Sequence, residues 1–141
     1  MADQKRIDAL ATLLANSGRV GQVRAALELS DIGGPQVELV LLSALANGDE
    51  HSRATTIMAL TKMRSKLAVA RFEQMLRGNV FGFGRDSSPQ VRQSCAFALG
   101  ELGERRSLKP LEIAAERDED PEVRQECQAA LQRFGAIVSV K

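Results

Sequence analysis

Ser88–Gly103, SPQVRQSCAFALGELG, returns 32 residues later as Asp120–Gly135, DPEVRQECQAALQRFG. Aligned on Arg92 and Arg124, the two stretches share Pro, Val, Arg, Gln, Cys, Ala, Leu and the closing Gly, each in register. An internal repeat is read before local propensity, because a unit that cannot bury its apolar face alone must stack on its neighbours. In each copy a first helix and a polar turn precede this stretch, which reads as the second helix.

The template slides upstream. The first copy spans about 4–33, with Leu10 and Leu14 four apart on one helix face, a break at Asn16-Ser17-Gly18 and a stop at Gly33-Gly34-Pro35. The second spans 36–64, with Leu41 and Leu45, a turn at Asn47-Gly48-Asp49, and Ile57, Leu60 and Met63 at three-residue steps. The third is 66–103 and the fourth 107–135, followed by a tail at 136–141. Second-helix markers Gln22, Arg53, Arg92 and Arg124 are separated by 31, 39 and 32 residues, so one insertion lies in the third copy. The text at 77–87, which includes Gly78, Val80, Phe81, Gly82, Phe83 and Gly84, reads as a loop between two helices. Six residues before each marker stands Asn16, Asn47, Asp86 or Asp118, a residue type that suits a turn and can cap a helix. The expectation is an all-α solenoid of about four helix pairs forming one domain.

The motif D-x-[DS]-P-x-V-R-x-x-[AC]-x-x-A-L-x-x-[LF]-G, followed by Leu108-Lys109-Pro110-Leu111, resembles HEAT repeats. It is most similar to the HEAT-like subtype named for phycobilisome lyases. The likeness is best over 86–135, weaker over 36–64, and a matter of pattern only over 7–33. Gln22 departs from it, as do Ser30 and Thr61 where the third copy has Gly100. The resemblance implies a right-handed stack with the second helices lining a concave side. It also implies a structural ladder between neighbouring repeats made by Asn47 and Arg53, Asp86 and Arg92, and Asp118 and Arg124.

Composition bounds the function. The 141 residues have a net charge of +1, which gives no global field toward nucleic acid or membrane. Residues 51–106 nonetheless carry ten basic and four acidic side chains, among them Lys62, Arg64, Lys66, Arg71, Arg77 and Arg85. The two cysteines, Cys95 and Cys127, hold one repeat position and read as buried thiols, with a disulfide left open. No apolar run reaches membrane-spanning length, and the start lacks a signal peptide, so the expected location is cytoplasmic.

Catalysis needs a positioned nucleophile, base or metal. His51 is the single histidine; HEAT-like enzymes that hold iron use paired His-Glu steps, which this sequence lacks. The cysteines lack zinc spacing and no glycine cluster continues into a P-loop. HEAT-like DNA glycosylases stack bases on aromatics, whereas Trp and Tyr are absent here. The resulting expectation is a chain that is not an enzyme and has no cofactor or metal. It would be an adaptor binding a protein or peptide on the concave face through Val23, Leu27, Met58 and Phe97 (with Gln128 in the fourth copy), and through Phe81 and Phe83 on the loop. One alternative is an accessory subunit of a bilin-lyase-like or other cofactor-handling enzyme. A second is nucleic-acid binding through the basic middle segment.

Overall fold

A computed structural model describes residues 2–79 and 81–140, with side chains at 3–79 and 81–135. Among the described residues the chain forms eight α-helices, one short 3-10 turn and no strand. The fold class is all-α, an α-solenoid of helix pairs. The chain divides into two compact units, Met1–Ser65 and Lys66–Lys141. Val80 and Lys141 lie outside the described residues, as do the side chains of the 136–140 tail.

The first unit comprises α1 (Ala2–Asn16), α2 (Arg19–Ile32), α3 (Gly34–Asn47) and α4 (Glu50–Lys62). Each first helix packs on its own second helix, and α1 also meets α3 while α2 meets α4. The buried residues explain this two-layer arrangement. Ile7, Leu10 and Leu14 on α1, and Val37, Leu41 and Leu45 on α3, recur at three- and four-residue steps and face inward. The second helices contribute smaller groups, Ala25, Ala26, Ala59, Ser52 and Thr56, also buried. Small side chains let helices approach closely. Thr56 keeps its hydroxyl satisfied by donating to Ser52 O at 2.7 Å. Between α2 and α3 stands Gly33 alone, at φ 68°, with its N–H donating to Leu29 O at 3.0 Å. That left-handed conformation favours glycine.

The second unit comprises α5 (Leu67–Arg77), α6 (Pro89–Leu102), the 3-10 turn Arg105–Ser107, α7 (Leu108–Arg117) and α8 (Pro121–Val140). Phe72 and Leu76 of α5, Val91, Cys95 and Leu99 of α6, Leu111 of α7, and Val123, Cys127 and Ala130 of α8 form its core. Gly100 sets how closely α6 and α8 approach. A Cβ there would lie 2.8 Å from Ala130 Cβ and 2.3 Å from Arg133 Nη2. The 136–140 backbone continues α8, so this segment extends the last helix; whether it covers an apolar end concerns side chains outside the described set. Among the described residues no helix is long and apolar enough to cross a membrane.

Candidate functional site

The arginine marker builds the turns first. Arg92 Nη1 donates to Asp86 O at 2.8 Å, and Arg124 Nη1 to Asp118 O at 2.6 Å, each reaching back six residues. Arg53 Nη1 reaches Gly48 O at 3.0 Å, while Asn47 Nδ2 donates to Ser43 O at 3.1 Å. In the second unit Arg92 also crosses to the following copy. Its Nε and Nη2 meet the two oxygens of Asp118 at 2.9 and 3.1 Å, a bidentate pair. Arg92 is 2% exposed and Asp118 4%, so both charges are withdrawn from water and depend on each other. Gln22, at the matching place of the first copy, is buried without a charge.

The helix caps stand two residues further on than the Asn/Asp positions. Asp49 Oδ1 accepts from Ser52 N at 2.8 Å, Ser88 Oγ from Val91 N at 3.2 Å, and Asp120 Oδ1 from Val123 N at 3.1 Å. Asp86 and Asp118 instead accept from the N–H two residues on, Ser88 at 3.0 Å and Asp120 at 2.9 Å, and so form Asx turns. The capping expectation for these two residues is corrected on that ground: a residue six before the arginine lies too far from the helix to reach its first free N–H groups.

On the outer side of the second helices, Leu27 of α2 is 37% exposed, Met58 of α4 40% and Phe97 of α6 48%. Val23 is half-buried. With Arg19, Val20, Arg24 and Leu27 it lines a shallow apolar hollow on α2. Counted from Arg124, the fourth-copy residue at this position is Ala129, half-buried, rather than Gln128. Phe97 is covered on one side by Arg133, whose guanidinium lies 4.9 Å from the ring centroid. Nothing in the sequence pattern placed Arg133 there, since the two are 36 residues apart.

The inserted loop is ordered by one side chain. Asn79 Oδ1 accepts from Phe81 N at 2.9 Å and Phe83 N at 3.1 Å, and Asn79 N donates to Phe83 O at 2.8 Å. Gly78, at φ 74°, has no room for a Cβ, which would fall 2.4 Å from Phe83 O. Phe81 and Phe83 do not fold back on the helices; they are 80% and 74% exposed.

The remaining candidates are quiet. Cys95 and Cys127 are buried and form no disulfide. Burial, with Asp118 and Glu126 nearby, pushes the Cys127 thiol up to about 12, so it is no nucleophile at neutral pH. His51 sits half-buried in the first turn of α4, with Nδ1 3.3 Å from Thr55 Oγ1. Among the described residues no group of three or more His, Cys, Asp and Glu could hold a metal ion. Within the basic stretch, Lys62 pairs with Asp31 at 3.2 Å, Arg85 with Glu119 at 2.7 Å and Arg106 with Glu73 at 2.8 Å.

Residues 82–141 match the family model for HEAT repeats. The match supports a HEAT-like repeat protein. No curated protein sequence matches the chain. Among solved structures, human deoxyhypusine hydroxylase in complex with glycerol is similar, with a TM-score of 0.73 and 26% sequence identity. The likeness covers 92% of this chain and 43% of that one, so the chain spans less than half of its neighbour's length. This finding overturns the expectation that the chain is not an enzyme, because an enzyme shares its architecture. Missing motifs do not exclude chemistry, because a fold of this kind hosts binding and chemistry alike. An iron site built from paired His-Glu steps does not fit the residues present, since His51 is the only histidine.

Proposed function

We propose that this chain is a HEAT-like interaction module that binds a protein or peptide on the exposed side of its second helices. One observation carries the proposal: Leu27 and Met58, on the neighbouring helices α2 and α4, keep a third or more of their surface in water. Leu13 of α1 and Leu39 of α3 are exposed as well, so the second-helix side is favoured by the apolar hollow that Val20, Val23 and Leu27 line on α2. Apolar side chains left outside on adjacent helices form a patch of the kind that partners cover. Val23 extends it along α2. The second unit, taken by itself, offers Phe97 on α6 and Phe81 and Phe83 on its loop as exposed apolar contacts. Binding of this kind suits a catalytic relative as well, because an enzyme of this architecture must also hold what it acts on.

The test replaces Leu27 and Met58 with Glu, separately and together. The partner is first identified by affinity capture from the native host, and its Kd is then measured. A central contact should cost about tenfold or more in affinity per site, with the far-UV circular dichroism unchanged. Full affinity in the double variant would refute the assignment of this face.

A further inference from the structure

The second unit also contains a hollow that the second-helix face does not use. It lies between the inserted loop and α7, has a volume of about 310 Å³, and is walled by Arg77, Asn79, Phe81, Arg85, Ile113 and Arg117. Sites for whole small molecules run from about 300 to 1,000 Å³, so this one is sized for a small ligand or a single protruding side chain.

Its charge is unbalanced. Among the described residues, the guanidinium groups of Arg77 and Arg117 have neither a hydrogen-bond nor an ion-pair partner. Arg85 gives Nη2 to Glu119 at 2.7 Å, and its Nη1 lies 3.8 Å from Asp118 Oδ2. Asp118 also borders the hollow, but its carboxylate is occupied by Arg92 at 2.9 and 3.1 Å. Arg92 offsets the Asp118 carboxylate and Glu119 offsets Arg85, which leaves the two positive charges of Arg77 and Arg117 on the wall. Asn79 spends its Oδ1 on the loop, which leaves its Nδ2 hydrogens as further donors. Phe81 N and Phe83 N both donate to Asn79 Oδ1, which ties the backbone that carries the Phe81 ring to the end of α5.

We propose that this hollow binds a phosphate monoester borne next to a flat ring. Arg77 and Arg117 hold the phosphate, Arg85 lies at its edge, and the ring rests against Phe81. The excess of two charges matches a phosphate monoester, which carries about −1.5 to −2 near neutral pH, better than a carboxylate. The planar guanidinium fork suits phosphate oxygens in pairs, and an aromatic wall favours an offset ring. A phosphotyrosyl side chain carries its phosphate on the ring itself, and a nucleoside monophosphate carries the same group one sugar away from a flat base.

Calorimetric titration of the full chain at low salt tests the proposal, with phenyl phosphate, inorganic phosphate and benzoate as probes. Phenyl phosphate should bind one to one, and about tenfold more tightly than benzoate. Arg77→Gln and Arg117→Gln should each weaken phenyl phosphate by about tenfold, the loss of one charge-assisted hydrogen bond. Phe81→Ala should erase the advantage of phenyl phosphate over inorganic phosphate while leaving the latter unchanged. None of these three side chains holds the fold together, and unchanged thermal melts check that directly. Tighter binding of a phosphotyrosyl peptide than of adenosine monophosphate assigns the ligand to a protein, and the reverse assigns it to a free nucleotide. No saturable binding of any phosphate probe, or equal affinity in the wild type and the Arg77→Gln/Arg117→Gln chain, overturns the proposal. The Leu27→Glu/Met58→Glu chain should bind phenyl phosphate normally, so failure here leaves the second-helix face standing.

Discussion

Arg92 and Arg124 occupy one place in two matched stretches, yet their surroundings differ. Both reach back six residues to a backbone carbonyl, at 2.8 and 2.6 Å. Only Arg92 is also shown gripping a carboxylate of the following copy, and it is buried while Arg124 is half-buried. The glycines of the two stretches diverge in the same way. Gly103 ends α6 at φ 65°, whereas the matching Gly135 lies inside α8. Gly100 touches Ala130 and Arg133 of a crossing helix, and its counterpart Gln132 is exposed. The motif therefore writes the local turn, and the neighbouring copy decides whether a position bears a load.

These differences can be broken one at a time. Arg92→Ala strands a buried carboxylate and should cost about 3–5 kcal/mol. Arg124→Ala loses one hydrogen bond to a carbonyl and should cost about 1 kcal/mol. Urea midpoints compare the two directly. Gly100→Ala should cost about 1–3 kcal/mol by overpacking α6 against α8, while Gln132→Ala should be nearly silent in the same assay. Gly103→Ala forces a left-handed backbone on alanine and should cost about 1 kcal/mol. Gly135→Ala should instead gain about 0.5–1 kcal/mol, since a Cβ there meets nothing within 4 Å.

The smallest effect at neutral pH concerns the matched cysteines. Native Cys127 should resist thiol reagents at pH 8 and react only on unfolding. Its folded thiol is raised from 9.0 to about 12, so its contribution to stability is complete below pH 9. As pH rises from 9 toward 12 the unfolded chain ionises first, and stability falls. Cys127→Ser should flatten that part of the stability curve.

Much of this was legible in the sequence, for a simple reason. Helix faces follow from spacings of three and four, so Ile7, Leu10, Leu14 and Leu41 announce their burial, and Asn16-Ser17-Gly18 announces its break. Whether Leu27, Met58 and Phe97 are exposed or core was open in the sequence, because spacing does not fix a helix's rotation to one position, and the cover that Arg133 gives Phe97 was hidden as well. The hollow was equally hidden: Arg117 is distant in sequence from Arg77 and Phe81, and they line one hollow only through the fold of the second unit. The role of Asn79 was missed because an ordinary polar residue became a clamp through two N–H groups of its own loop. The exclusion of enzymes failed for a different reason, since local motifs are silent about what an architecture can host.

A double-mutant cycle over Arg92, Arg124 and Asp118 measures the central claim most directly. Unfolding free energies of the single and paired alanine variants give the two coupling energies. Arg92 and Asp118 should be coupled by about 1–3 kcal/mol. Arg124 and Asp118 should be coupled by no more than about 0.5 kcal/mol, because that contact uses only the backbone carbonyl. Equal couplings would contradict the account, for then the motif alone, and not the neighbouring copy, would decide which arginine holds the stack together.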